Sequence, residues 1–256
     1  MCIKRLIVIF AVCAIISTTA SMTGCIGVNW YVEPDAIVGR GNIITKTYTA
    51  AEIGEFTGVE VSFPCKLYLY QGDSEEVKIE LQESLSEHFS INTSKGYLEI
   101  KAKRNIRSGL GEKNTPKVYI TYRTLENLNL NGVIEIVESD TINSEWVGLD
   151  LAGVVSGKLG FNVEFCSVNM SGVGNLTLTG SADRGVLVSS GTGRLSAFGL
   201  VIKDADVSLS GVGAVEVNCT ENLYVYLSGL GSVLYKGNPS DITQEKSGLG
   251  SITKAD

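Results

Sequence analysis

Acidic side chains are the residues of this sequence best suited to catalytic chemistry. A glycosidase needs two carboxylates that flank one bond at a separation of ~5–9 Å. The glycine-rich second half of the chain carries Asp150, Glu164, Asp183, Asp206 and Glu216. Their neighbours indicate that these acids lie at outward or turn positions of short strands. Stacking of successive segments could bring Asp206 near Asp183, although the sequence alone does not show this. We interpret them as surface acids, with a carbohydrate-active enzyme as the alternative.

Other catalytic and cofactor-binding patterns are missing from the sequence. His88 is the single histidine, and no serine lies in a G-x-S-x-G elbow. The Gly-x-Gly pairs do not indicate a phosphate loop, because the residues after Gly174 alternate like a strand instead of beginning a helix. No aspartate recurs as in calcium-binding solenoids, and no Cys-x-x-Cys or histidine cluster suggests zinc. The sequence predicts no catalytic residue, no metal site and no cofactor.

The cysteines favour packing over chemistry. Three of the six lie in or directly after an N-terminal targeting segment, which leaves Cys65, Cys166 and Cys219. Cys166 and Cys219 share the parity of apolar neighbours and are expected to point inward as small core residues. We predict buried free thiols, and a Cys166–Cys219 disulfide stays open as the alternative for an exported protein.

The N-terminus has the features of an export signal. Lys4 and Arg5 precede the unbroken apolar run Leu6–Ile16, which is too short to span a bilayer as a helix. The ending Thr23-Gly24-Cys25 resembles a bacterial lipobox, from which Met22 departs because leucine is preferred there. Residues 1–24 are therefore predicted to be a lipoprotein signal peptide, with lipidation of Cys25 as the membrane anchor. The expected location is the outer membrane, facing either the periplasm or the cell surface.

The charge of the mature chain argues against nucleic acid as a partner. The chain has 21 basic and 28 acidic residues, and loss of residues 1–24 removes only Lys4 and Arg5, which leaves 19 basic residues and a net charge of −9. Such a chain is poorly suited to phosphate backbones or anionic lipid surfaces. The densest basic stretch, Lys101–Arg107, is interpreted as a solvated loop, with a patch for an acidic glycan as the alternative.

The first half of the mature chain alternates apolar and polar residues, which is typical of strands. Examples of the alternating apolar positions are Val59, Val61 and Phe63, then Val77, Ile79 and Leu81, then Val118, Ile120 and Tyr122. One segment differs, because Leu81, Leu85 and Phe89 recur every four residues. This spacing predicts a short amphipathic helix over Leu81–Phe89.

The second half repeats a unit of about 19 residues. A small residue precedes glycine at Asn131-Gly132, Ala152-Gly153, Ser171-Gly172, Ser190-Gly191, Ser210-Gly211, Ser228-Gly229 and Ser247-Gly248. Apolar residues recur two and four positions before these glycines, as Val207 and Leu209 do before Gly211. A unit of this length cannot close a core by itself, so neighbouring units must stack as coils. We expect the corner glycines to adopt positive φ angles, which a residue without a Cβ permits.

The repeats predict an all-β protein built on a parallel β-solenoid with coils of about 19 residues, preceded by a β-rich part with one short helix. The predicted divisions are the signal peptide at 1–24, a tether at 25–40, the β-rich part at 41–127 and the solenoid at 128–256. Gln244 and Lys246 take inward positions in the last unit, which indicates a polar cap over residues 239–256.

Stacking of the coils suggests one ligand face. Ser171, Ser190, Ser210 and Ser228 are expected to line up along one corner, where hydroxyls either bind a ligand or only bond the local backbone. Tyr224, Tyr226 and Tyr235 cluster late in the solenoid, where aromatic faces can stack on a sugar or pack at the sheet edge. Tyr226 lies between inward Val225 and Leu227 and is expected to face outward.

The layout resembles the bacterial family described as "putative auto-transporter adhesin, head GIN domain". Gly41-Asn42, the alternating strands through Ile100 and the Ser-Gly-Val-Gly repeats at Ser171–Gly174 and Ser210–Gly213 carry the resemblance over residues 38 to 254. It implies a β-solenoid-like fold, often with a lipoprotein signal, and no established catalytic or binding residues.

Three functions follow as hypotheses. The first is a non-catalytic envelope lipoprotein whose solenoid is an adhesin or a binding platform for a glycan or an envelope protein. The second is a carbohydrate-active enzyme on the same scaffold, which a pocket with two facing carboxylates favours. The third is a structural envelope component, which a surface without patches favours.

Overall fold

The computed structural model describes residues 37–103, 106–107 and 114–255, which belong to one compact unit. The predicted signal peptide, Cys25, Arg104 and most of the predicted tether lie outside the described residues. Within those residues, no helix has the length and apolar character needed to cross a membrane. The chain forms a parallel β-solenoid of about seven turns with coils of about 19 residues, which confirms the predicted fold class.

Twenty strands make up the described part of the chain. In the first half they are β1 (Ile37–Val38), β2 (Ile43–Thr49), β3 (Gly58–Ser62), β4 (Cys65–Gln71), β5 (Glu76–Gln82), β6 (Phe89–Ser94), β7 (Tyr97–Ala102), β8 (Ile106–Arg107) and β9 (Lys117–Tyr122). In the second half they are β10 (Asn127–Leu130), β11 (Val133–Ser139), β12 (Thr141–Asn143), β13 (Trp146–Leu151), β14 (Val154–Met170), β15 (Val173–Ser189), β16 (Thr192–Leu209), β17 (Val212–Leu227), β18 (Leu230–Lys236), β19 (Asp241–Lys246) and β20 (Leu249–Lys254).

Between residues 37 and 103, two short helices interrupt the strands. The helix predicted over Leu81–Phe89 is a narrower 3₁₀-helix, Glu83–His88, which buries Leu85. A second helix, the single turn α1 (Ala50–Ile53), begins after Thr49, whose backbone N–H donates to the Glu52 carboxylate at 2.8 Å. This capping box stabilises a turn that is too short to show a hydrophobic period.

The strand segments stack in register on faces that run along the rod. The front face consists of the segments that lead into each corner glycine, and the back face of those that follow it. The front face stacks β7, β3, β10 and β13, then residues 165–170, 184–189, 204–209 and 222–227, and finally β19. The back face stacks β9, β4 and β11, then residues 154–157, 173–177, 192–197 and 212–217, and finally β18 and β20.

Both faces continue across the division proposed between residues 127 and 128. β3 pairs in parallel with β10, and β4 pairs in parallel with β11. The solenoid stack therefore extends to the N-terminal side of residue 128, and the antiparallel strands β5 and β6 flank β9 and β7 at its N-terminal end.

Apolar ladders inside the rod form the core. One ladder on the front face joins the buried residues Leu128, Leu149, Val168, Leu187, Val207 and Val225 in register. Burial of each such side chain contributes roughly 1.5–3 kcal/mol. The next rung is Gln244 in β19, all six residues of which are exposed, so the ladder ends in a polar side chain as the sequence predicted.

The corner glycines have a different role from the one predicted. Gly211 does not have a positive φ angle. Gly193 and Gly213, each two residues after a corner glycine, do have one. A Cβ on Gly211 would instead collide with the carbonyl oxygen of Gly191 in the preceding coil. Close approach of stacked backbones, and not a left-handed conformation, therefore requires glycine at this corner.

A candidate binding groove on the front face

The predicted serine column is present at the corner between the front and back faces. Ser171, Ser190 and Ser210 are exposed, and Ser228 is half-buried. The backbone N–H of each of these serines donates to a carbonyl in the preceding coil. The N–H of Ser210, for example, donates to the carbonyl of Ser189 at 3.0 Å. Within the described part of the chain, the hydroxyls of these serines have no hydrogen-bond partner in the protein. They form a row of available donors and acceptors.

Tyr226 faces outward on β17, as predicted, and Tyr224 lies two residues before it on the same surface. Each ring is 36% exposed. Their in-register neighbours in the preceding coil are Asp206 and Ser208, which are too small to cover an aromatic face. Desolvation and a hydrogen bond to the Glu245 carboxylate raise the pKa of Tyr224. Tyr235, which the sequence grouped with these two, is buried.

A groove of about 400 Å³ begins beside Tyr224. Its polar side chains come from successive coils and are Arg184, Asp204, Asp206, Asn222, Asp241 and Thr243. Arg184, Asp204, Asn222 and Asp241 are in register with one another. The Asn222 amide donates to the Asp204 carboxylate at 2.5 Å. Arg184, Asp206, Asp241 and Thr243 also line the groove and can contact a ligand there.

The groove residues other than Asp206 and Tyr224 were not singled out from the sequence, although the sequence contains a signal for them. Counting back seven residues from each corner glycine aligns one column, Phe165, Arg184, Asp204, Asn222 and Asp241. Counting back five aligns Asp206, Tyr224 and Thr243.

The acidic residues do not form a facing pair. Asp183 is bound to Lys203 at 2.6 Å, whereas Asp206 lies in register with Val186 and Tyr224. Stacking of the coils therefore does not pair Asp206 with Asp183. Asp204 and Asp206 are two residues apart on one strand, so their carboxylates lie side by side on one face.

The remaining predicted acids are separate from the groove. Asp150 accepts a hydrogen bond from Asn169 at 3.1 Å, and Glu164 is exposed. Glu216 is buried, against expectation, because Arg194 binds it at 2.8 Å and the Ser196 hydroxyl also donates to it. Among the described residues, no cluster of three histidine, cysteine or acidic side chains suits a metal ion.

A second aromatic cluster, which the sequence did not reveal, lies on the back face. The rings of Tyr68 and Tyr119 stack at 4.4 Å with an interplanar angle of 18°. Lys78 lies over the Tyr119 ring at 4.7 Å, and the Tyr119 hydroxyl donates to Glu80 at 3.3 Å. Because these rings cover one another, they offer less free aromatic surface than Tyr224 and Tyr226.

Among the described residues, the three thiols, Lys101 and Lys103 take no part in the groove. Cys65, Cys166 and Cys219 are free and buried, as predicted, and burial raises the pKa of all three thiols, for Cys166 to about 12. Lys101 binds Glu60 and Glu99, both at 3.2 Å.

The stacked coils place the protein in the class of parallel β-solenoids. The model of the family described as "putative auto-transporter adhesin, head GIN domain" matches residues 55–239. The chain therefore belongs to this family, which confirms the resemblance. Among curated proteins, no sequence matches the chain.

Solved structures share the fold. A structure described as a putative adhesin from Bacteroides fragilis is 22% identical with a TM-score of 0.78, over 86% of this chain and 100% of that chain. One described as a putative lipid binding protein from Parabacteroides distasonis is 20% identical with a TM-score of 0.64, over 87% and 100%. A putative adhesin from Parabacteroides merdae is 18% identical with a TM-score of 0.58, over 87% and 100%.

Proposed function

We propose that this protein is an exported, lipid-anchored adhesin-like protein that binds a neutral glycan in the front-face groove. The groove beside Tyr224 carries the proposal, because it combines open aromatic faces with several hydrogen-bonding side chains in one concave surface. Membership of an adhesin family supports an exported binding protein and favours a non-enzymatic role.

The chemistry of the groove suits a sugar rich in hydroxyls. The carboxylates of Asp206 and Asp241 accept hydrogen bonds from hydroxyl groups, and the Arg184 guanidinium donates them. Tyr224 and Tyr226 present amphipathic rings on which the apolar face of a sugar can stack. Three aspartates against one arginine disfavour uronic or sialic acids, since like charges repel.

The position of the groove suits a protein tethered at its N-terminus. The described chain begins at Ile37, and Arg40 binds the 3₁₀-helix at the N-terminal end, where its backbone N–H donates to Ser84 at 2.8 Å. The groove lies in the later coils, from Phe165 to Thr243. With Cys25 lipidated, several coils of the chain would separate the anchor from the groove.

The arrangement of the carboxylates favours binding over hydrolysis. Glycoside hydrolysis uses two carboxyl groups on opposite sides of the bond, whereas Asp204 and Asp206 project from the same strand of one face. A ligand lying on this face would meet both carboxylates from the same side.

The test is a glycan array probed with the full-length protein in detergent. We expect binding to neutral glycans, at least a tenfold loss in Tyr226→Ala and Tyr224→Ala (roughly 1.4 kcal/mol or more), and no loss in the matched control Tyr70→Ala on the back face. Tight binding to acidic glycans, or equal losses in all three variants, would contradict the proposal. Product release from a bound neutral glycan would instead support the enzyme hypothesis.

A further inference from the structure

A column of exposed apolar residues runs along the corner beside the serine column. The residue after each corner glycine is in register from coil to coil, and the seven positions are Val133, Val154, Val173, Thr192, Val212, Leu230 and Leu249. The six apolar members are 48–77% exposed. We call this column the apolar ridge. Single exposed apolar residues need no explanation, but six of them in one column, interrupted only by Thr192, form an extended apolar patch.

The columns on either side of the apolar ridge are nearly uncharged. The preceding column runs from Asn131 and Ala152 through the serines to Ser247 and has no charged residue. The column two residues after the ridge contains two, Glu135 and Arg194. Both are paired within the chain, Glu135 with Lys66 at 3.5 Å and Arg194 with Glu216 at 2.8 Å. Depletion of charge around an apolar strip is typical of the centre of a protein interface.

We propose that the apolar ridge binds the same ridge of a second copy, so that two solenoids lie side by side. A straight in-register column is complementary to itself, because each valine can meet its own counterpart at the coil spacing of ~4.8 Å. The seven positions of the ridge span six coil spacings of ~4.8 Å, and with a contact strip ~15 Å wide the buried area is on the order of 400 Å² per partner. A stable dimer needs about 800 Å² per partner, so this dimer is weak in solution, and confinement of both copies to one membrane strengthens it.

The charges beside the ridge favour a parallel pair. With the two-fold axis along the rods, the column that contains Arg194 faces the serine column of the partner, so that Arg194 lies opposite Ser190 of the partner subunit. An antiparallel pair would place Arg194 opposite Arg194 of the partner subunit, where like charges repel. The parallel arrangement also places both N-termini at the same end, as two anchors in one membrane require, and brings two front-face grooves together for bivalent binding.

Cysteine crosslinking of the full-length protein in intact cells tests this arrangement. Val173→Cys and Val133→Cys are each expected to give a dimer with a short bis-maleimide, since a parallel pair brings each residue next to its own counterpart. The matched control Val201→Cys, 42% exposed but away from the ridge, is expected to stay monomeric. The wild type supplies the baseline, because its three described cysteines are buried.

A second set of variants separates the dimer from chance encounter. Val173→Glu and Val212→Glu in the Val133→Cys background are expected to lower the crosslinked fraction at least about tenfold, and Val201→Glu is expected to leave it unchanged. Equal crosslinking of Val201→Cys, or adducts of Val173→Cys only with other proteins, would overturn the proposal. Crosslinking of Val133→Cys only when mixed with Leu249→Cys would overturn the parallel arrangement.

Discussion

The α-carbon of Gly211 lies against the carbonyl oxygen of Gly191, one coil earlier, with no room for a Cβ between them. The same carbonyl accepts a hydrogen bond from the Val212 backbone N–H at 2.9 Å. A side chain at 211 would therefore force the coils apart where the ladder of hydrogen bonds passes the corner.

Gly211→Ala is accordingly expected to destabilise the fold by at least about 2 kcal/mol, as overpacking against backbone does. For a domain of this size the melting temperature should fall by roughly 4–8 °C. The matched control is Ser210→Ala, next in the chain and exposed, which should melt within about 1–2 °C of the wild type. A Gly211→Ala protein with unchanged thermal unfolding would mean that the corner has more room than the stacked backbones indicate.

Arg123 is expected to be the most important ion-pairing residue of the N-terminal coils. Its Nε donates to Glu75 at 2.8 Å and its Nη2 to Glu55 at 2.6 Å. The Glu75 side chain is only 4% exposed, so Arg123→Met would leave a buried carboxylate without its partner. We expect Arg123→Met to lower the free energy of unfolding clearly more than loss of an exposed ion pair does, because the buried Glu75 carboxylate loses its partner.

Two comparisons check the cause of this loss. The pair Lys203–Asp183 has both side chains more than half exposed, so Lys203→Met should change the free energy of unfolding much less than Arg123→Met does. Adding Glu75→Gln to Arg123→Met should recover part of the loss by removing the buried charge. Urea denaturation curves measure both, and equal effects of Arg123→Met and Lys203→Met would show that burial of Glu75 does not matter.

The buried thiols should make the protein less stable in alkali. Burial raises the pKa of Cys65 and, to about 12, that of Cys166, whereas an exposed thiol ionises near pH ~8.5. Below that pH the thiols are protonated in both states. Above it the unfolded chain loses their protons and the folded chain does not, so stability falls, by up to about 1.4 kcal/mol per pH unit for each thiol until its folded pKa is reached.

Chemical denaturation at pH 8 and pH 10.5 measures this effect. Other groups also titrate in this range, so the informative quantity is the difference between the wild type and Cys65→Ala/Cys166→Ala. The double variant should lose distinctly less stability between the two pH values than the wild type. The native thiols should also resist Ellman's reagent until the protein unfolds, and rapid labelling under native conditions would contradict their burial.

The sequence predicted what depends on repetition and missed what depends on register. Leu209 and Val207 could be placed inside, and Tyr226 and Ser210 outside, because successive side chains of a strand point to opposite faces. Arg184 and Asp204 meet in one groove because both lie seven residues before a corner glycine. Counting forward from the preceding corner glycine misplaces such residues, because β16 contains irregularities where Ala197 pairs with Val217 and Val201 with Asn218. The role of Gly211 was also missed, because a clash between coils leaves no local signal.

The polar end of the rod is expected to keep the protein from associating end to end. Gln244 and Lys246 continue the apolar ladders of Val225 and Leu227, and among the described strands the residue register of β19 is with β17. An open edge with inward-pointing polar residues resists addition of another strand. Gln244→Val/Lys246→Leu should therefore leave the coils folded but expose an apolar edge that aggregates.

Light scattering against concentration, with circular dichroism as the check on folding, measures this outcome. The matched control is Thr243→Val/Glu245→Leu, which changes two outward positions of the same strand to apolar residues. We expect concentration-dependent growth in particle size for the inward pair and much less for the outward pair, because only the inward residues extend the core towards the open edge. Equal aggregation of both variants would attribute the effect to surface hydrophobicity alone and remove the capping role from Gln244 and Lys246.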